Sequence, residues 1–299
     1  MYSCNYAEAI ERTVEQLSDY NSFKTICYQH HDGEPFPSEK VLHEIVELCR
    51  SLIFPGFFGR ANVHSGTIGY HVGVNIERLI GLLSEQILAG LCFTCDHTRE
   101  INLDELRKTS MEKAVAFIES LPQLRKILAT DVEAAYNGDP AAESFGEVIA
   151  CYPAIRAISN YRIAHSLIEL GVPLIPRMIS EMAHSETGID IHPAATIGSY
   201  FTIDHGTGVV IGATAIIGNH VKIYQGVTLG AKSFPLDENG NPIKGIPRHP
   251  IIGDNVIIYS NATILGRITI GADATVGGNI WVTEDVEPGA RVVQTKASR

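Results

Sequence analysis

From Ile191 to Val286 apolar residues return every six positions, a period that fits neither a helix at 3.6 nor a simple strand at 2. From Ile252 on the series is unbroken, running Ile252, Ile258, Ile264, Ile270, Val276, Val282. A second apolar position follows each lead residue four places later, at Val256, Ala262, Ile268, Ala274, Ile280 and Val286. Such a repeat predicts a β-solenoid in which each flat face takes one hexapeptide and neighbouring coils bury each other. About twelve hexapeptides, at three to a triangular coil, give roughly four coils.

Two interruptions break the series. Ile191, Ile197 and Ile203 keep one register, while Ile211, Ile217, Ile223 and Leu229 keep another. The extra residues fall in Asp204-His205-Gly206-Thr207-Gly208, where two glycines give the backbone freedom to bulge outward. The second break, 231–251, contains Pro235, Gly240, Pro242, Gly245, Pro247 and Pro250 and reads as an extruded loop. Loops of that length in a compact fold are usually functional.

Ahead of the repeat, apolar residues at three- and four-residue spacing predict helices over 7–20, 38–53, 76–89, 103–128 with a break at Pro122, 144–150, 155–170 and 175–185. The expected architecture is therefore α+β and multidomain: an all-α helical N-terminal domain over 1–188, then a parallel β-helix of hexapeptide repeats over 189–299. Proteins with this pattern are left-handed.

A net charge of −11 argues against a general binder of nucleic acid or anionic membrane. The first residues show no signal peptide and no apolar run reaches about 18 residues, so a cytoplasmic location is expected. The six cysteines all precede the repeat. Cys92-x-x-Cys95, with His97 nearby, lacks a second pair and reads as plain reduced thiols, with no metal expected.

Asp190-Ile191-His192-Pro193-Ala194-Ala195, Asp204-His205-Gly206-Thr207-Gly208, Val227-Thr228-Leu229-Gly230 and Arg248-His249-Pro250, in that order, resemble serine O-acetyltransferases. Asp139-Pro140-Ala141 and Tyr161-Arg162-Ile163-Ala164-His165 extend the resemblance from about 139 to 286. It implies transfer of an acetyl group from acetyl-CoA to the hydroxyl of L-serine, on the way to cysteine. A serine hydroxyl is barely ionised at neutral pH, so its attack needs a general base, and histidine suits the task. His205, at the phase change, is the candidate base. The resemblance pairs it with Asp190, which lies 15 residues back, near one coil's length. Arg is a natural carboxylate clamp because its planar fork donates two parallel hydrogen bonds. The resemblance assigns Arg248 to the serine carboxylate, His249 to the substrate or transition state, and Asp139 and Asp204 to the ammonium.

Acetyl-CoA is expected in a groove between neighbouring solenoids, where Gly230, Ala231, Ala262 and Gly266 are small enough for close approach and Lys232 can meet a phosphate. No nucleophile stands beside a base in the repeat, which favours direct transfer without a covalent intermediate. His165 and His192 read as packing residues. The resemblance also implies feedback inhibition by L-cysteine and a homotrimer or dimer of trimers. Many members end in an isoleucine that docks into the next enzyme of the pathway; this chain ends Ala297-Ser298-Arg299, so that complex is not expected. Ala231 stands where many members have glycine, Pro247 where many have aspartate, and the loop is longer. Two alternatives stay open: a hexapeptide acetyltransferase for another small hydroxyl or amino acceptor, and a catalytically silent β-helix scaffold.

Overall fold

The computed structural model describes residues 4–27, 34–59, 63–95 and 102–294. The chain divides into two compact units, Met1–Glu34 and Pro35–Arg299. The first holds α1 (Cys4–Ser18) and α2 (Tyr20–Phe23), the latter started by Asp19, whose carboxylate accepts the Asn21 N–H. His97 lies outside the described residues. Cys92 is buried on α4, and Cys95 closes that helix by donating its N–H to the Cys92 carbonyl.

Among its described residues, the second unit begins with six helices: α3 (Glu39–Ile53), α4 (Ile68–Thr94), α5 (Leu103–Gly138), α6 (Phe145–Cys151), α7 (Pro153–Glu169) and α8 (Ile175–Thr187). α3 starts where the Ser38 hydroxyl accepts the Val41 N–H, a standard N-terminal signal. α8 stops at Gly188, whose φ of 69° is the left-handed cap that glycine adopts without strain. α5 differs from expectation. It runs unbroken through Pro122 and on to Gly138, ten residues beyond Leu128. Buried Phe117, Leu121 and Leu124 hold the helix on both sides of the proline, offsetting the one backbone bond that proline removes. The extension was masked because one of its core positions is an aspartate, Asp131.

The solenoid follows with three parallel faces. The first stacks β1 (Asp190–Ile191), β4 (Val210–Ile211), β7 (Thr228–Gly230), β10 (Thr263–Leu265) and β13 (Trp281–Val282). The second stacks β2 (Thr196–Ile197), β5 (Ile216–Ile217), β8 (Ile251–Ile252) and β11 (Thr269–Ile270), and Val286 adds a parallel bridge to Ile270. The third stacks β3 (Thr202–Asp204), β6 (Lys222–Tyr224), β9 (Ile257–Ile258), β12 (Thr275–Val276) and β14 (Arg291–Val292). This makes five coils where the hexapeptide count gave four. In the last coil the inward positions are Val282, Val286 and Val292, so the spacing slips to four residues before returning to six. Every lead residue of the beat is buried, and the corners turn on left-handed residues such as Asn255, Asn261, Asp273 and Asn279. Asn and Asp accept that conformation more readily than other non-glycine residues.

Helices and solenoid are fastened by α7. Arg162 meets Asp131 of α5 through two hydrogen bonds of 3.1 Å, and donates at 2.6 Å to the carbonyls of Ile197 and Gly198 in the first coil. Asp131 in turn accepts the Phe201 N–H. Tyr161 donates its hydroxyl to Ala195 O and His165 Nδ1 lies 2.8 Å from Pro193 O, so the Tyr-Arg-Ile-Ala-His run serves as the joint between the two layers.

Candidate active site

The phase slip places Asp204 and His205 at the corner that follows β3. His205 adopts φ 59°, and Gly206 and Gly208 carry φ 98° and 80°. A Cβ on Gly206 would run into Ile189 one coil below, so the bulge closes only with glycine there. His205 is exposed, its side chain 78% accessible, and its Nε2 lies 3.7 Å from Asp204 Oδ1. The other oxygen of Asp204 is 3.0 Å from Lys222 Nζ, which also donates to Gly138 O at 2.6 Å.

Gly138 ends α5, and the next residue is Asp139. Its Oδ1 accepts the Ala141 N–H at 2.8 Å and its Oδ2 accepts the Tyr152 hydroxyl at 2.6 Å. These bonds, the tyrosine first, hold the Asp139 carboxyl below the usual carboxylate range, with Lys222 and His205 adding to the effect. The same bond pushes the Tyr152 hydroxyl up to about 12. Asp139, Asp204, His205, Lys222 and Tyr152 thus form one charged corner. Tyr152 and Lys222 were not legible in the sequence as site residues. Tyr152 starts α7, and Lys222 pairs in register with Thr202, diagonal to Asp204.

Asp190 begins the first face just past this corner, its N–H bonded to Val209 O. Among the described residues its carboxylate groups with Glu181 and His184 of α8, all three ligand atoms within 4.8 Å of one another. Arg177 pairs with Glu181 there.

Arg248 and His249 lie at the opposite end of the first face. Both of their N–H groups donate to Thr214 Oγ1, at 2.9 and 3.1 Å. His249 Nδ1 accepts the Thr214 N–H at 3.1 Å, which leaves Nε2 to carry the proton as a donor. Its ring lies over Gly212, where any Cβ would overlap it. Burial, reinforced by Arg248, His192 and Arg267, pushes the His249 imidazole down to about 4, so it is neutral at physiological pH. The Arg248 guanidinium reaches over the Phe234 ring of the extruded loop, and its buried Nε has no hydrogen-bond partner among the described residues.

The residues expected at acetyl-CoA divide. Gly266 N–H donates to Gly230 O at 3.0 Å, and a Cβ on Gly266 would lie 3.3 Å from Lys232 Cβ, so Gly230, Lys232 and Gly266 come together, with Ala231 between the first two. Ala262 does not join them. It is wholly buried, because the second apolar position of each hexapeptide points into the solenoid.

A parallel hexapeptide solenoid with an exposed imidazole beside a carboxylate at an interrupted corner defines an acyltransferase of the hexapeptide class. No family model matches the chain. A plasmid-encoded serine acetyltransferase of Synechococcus elongatus is 48% identical over 264 residues, covering 88% of this chain and 83% of that protein. Among solved structures, serine acetyltransferase 1 of Entamoeba histolytica in complex with L-cysteine matches with a TM-score of 0.73 at 34% identity, covering 97% of each chain. Soybean serine acetyltransferase complexed with serine matches with a TM-score of 0.55 at 31% identity, over 88% of this chain and 99% of that one. The chain belongs to the serine acetyltransferase family.

Proposed function

We propose that this protein transfers the acetyl group of acetyl-CoA to the hydroxyl of L-serine, giving O-acetyl-L-serine and CoA. The observation that carries the reading is the Asp204–His205 corner, an accessible imidazole with Asp139 alongside, in a chain 48% identical to a serine acetyltransferase. His205 takes the hydroxyl proton as oxygen attacks the thioester, and returns a proton to the CoA thiolate as the tetrahedral intermediate collapses. Asp139 and Asp204 receive the ammonium. Arg248 clamps the carboxylate with its fork, and neutral His249 donates from Nε2. Asp190 is the partner that the family resemblance assigns to His205, although its carboxylate here groups with Glu181 and His184, and the thioester arm runs along Gly230, Ala231, Lys232 and Gly266.

One copy of the chain does not complete this site. His205 and Arg248 are separated by the width of the first face, roughly 15–20 Å at about 3.3 Å per residue, much more than one serine spans. A homotrimer, or a dimer of trimers, sets the Arg248 end of one solenoid against the His205 end of the next. L-Cysteine, which has a thiol in place of the hydroxyl, fits the same pocket and acts as a competitive inhibitor. No described helix is long and apolar enough to cross a membrane, in keeping with a cytoplasmic enzyme.

Release of CoA thiol by the purified full chain, followed with serine, homoserine, sugars and amino-group acceptors, tests the reading. Serine is expected to give by far the highest kcat/KM. His205→Ala is expected to lower kcat by about two to four orders of magnitude, the usual contribution of a general base, without changing Tm. Preference for another acceptor overturns the substrate, and near-normal turnover by His205→Ala overturns the base.

A further inference from the structure

The charged corner contains a cation that the proposed chemistry does not use. Lys222 lies on β6, one coil on from the strand that carries Asp204, with its side chain 18% accessible. It passes over the Tyr224 ring, 4.6 Å from the centroid, and ends between Asp204 Oδ2 at 3.0 Å and Gly138 O at 2.6 Å. Gly138 carries one of the terminal carbonyls of a 36-residue helix, a place that favours a cation. The lysine therefore binds at once to the residue before Asp139 and to the residue before His205.

We propose that Lys222 is a positioning residue of the acetyl-transfer site: its ammonium ties the Asp204 carboxylate to the end of α5 and keeps that carboxylate from closing on His205. The proposal rests on the serine-acetylating reading given above. Its geometric basis is the asymmetry at Asp204, where one oxygen is within hydrogen-bonding distance of the lysine and the other stands 3.7 Å from the imidazole, too far for a hydrogen bond. A charge count supports it. Two carboxylates and one lysine leave a net charge of −1 at the corner, matched to a single substrate ammonium. Burial opposes the charged form of Lys222, yet Tyr224 and Asp204 outweigh it and raise its pKa.

Without the lysine, Asp204 turns to the imidazole. Two effects then share one cause: the carboxylate is withdrawn from the substrate ammonium, and protonated His205 gains a partner. A base must be neutral to act, so stabilising its protonated form moves the acid limb of the pH profile upward. Among the described residues, the charged and titratable groups of the corner that holds His205 are Asp204 on β3, Lys222 and Tyr224 on β6, Asp139 after α5, and Tyr152 at the start of α7. In the single variants of the test only Lys222 changes.

The test compares the full-length wild type with Lys222→Met and Lys222→Arg, with folding checked by thermal denaturation. For Lys222→Met the acid limb of kcat/KM for serine is expected to move up by about half a pH unit, the size of one unscreened charge several ångströms away. Its KM for serine is expected to rise about fivefold, with KM for acetyl-CoA held within about twofold. Lys222→Arg keeps the charge and is expected to restore the wild-type limb. In an Asp204→Asn background, Lys222→Met is expected to add no further displacement. An unmoved limb in folded Lys222→Met overturns the proposal, as does a displacement that survives in Asp204→Asn. A uniform fall in kcat with both KM values and the limb unchanged marks a purely structural lysine and also overturns it. A wild type that acetylates another acceptor and not serine defeats the underlying reading, whereas a serine-acetylating wild type with an unmoved Lys222→Met limb defeats the lysine proposal alone.

Discussion

The His249 ring packs directly over Gly212, a position from which even one methyl group would expel it. The glycine is therefore part of the site although it offers no side chain. Gly212→Ala is expected to displace the imidazole and break its bond with the Thr214 N–H, lowering kcat/KM for serine by about tenfold or more. The overpacking is expected to cost about 1–3 kcal/mol of stability, read by urea denaturation. Activity equal to wild type in this variant means that His249 does not need its present position. Thr214 works similarly out of sight: its hydroxyl receives the N–H groups of both Arg248 and His249. Neither Gly212 nor Thr214 stands out from its neighbours in the repeat, since small and hydroxylated residues occur throughout it.

Among the elements, α7 has the largest structural task for its length. Among the described residues, Arg162 is the cation that pairs with Asp131, which is completely buried. Arg162→Met leaves that carboxylate without a cation, with the Phe201 N–H still donating to it, and takes donors from two carbonyls of the first coil, an expected loss of about 3–5 kcal/mol. The companion variant Asp131→Asn, Arg162→Met is expected to recover part of it, because no buried charge is stranded. Equal denaturation midpoints for wild type and Arg162→Met are incompatible with this account. The helical joint also marks where sequence reading stops. The beat located the strands because each lead residue faces inward, and its two breaks located His205 and Arg248 because only an outward bulge can interrupt stacked coils. Periodicity says nothing about what one element does to another. Tyr152 looked like an ordinary residue before a helix-starting proline, and Lys222 like an ordinary outward lysine. Their roles depend on α5 extending to Gly138, and that extension was concealed by an aspartate at a core position. Ala262 shows the converse: its small size suggested close approach by a ligand, while its place in the beat sends it inward.

At the scale of the whole molecule, the proposed site, with His205 and Arg248 at opposite ends of the first face, requires catalysis to be a property of neighbouring copies. Trimers mixed from His205→Ala and Arg248→Ala chains are expected to recover activity that neither variant has alone. Where the intact halves meet, a complete site forms, so random mixing restores about a quarter of the wild-type sites. Steady-state assays on co-expressed, co-purified chains measure this. No recovery, with mixed trimers demonstrated by mass, places both residues in one chain's site.

The solenoid has two dissimilar ends. At the first coil, α7 meets the carbonyls of Ala195, Ile197 and Gly198, so the backbone there is already engaged. Among the described residues, β13 and β14 are terminal strands of their faces, each paired on one side only. A stack that is closed below and open above can lengthen in one direction. Added coils, whether by gene duplication or by unwanted pairing between molecules, have a single place to attach, and the two-residue length of β13 and β14 makes that landing site a poor template.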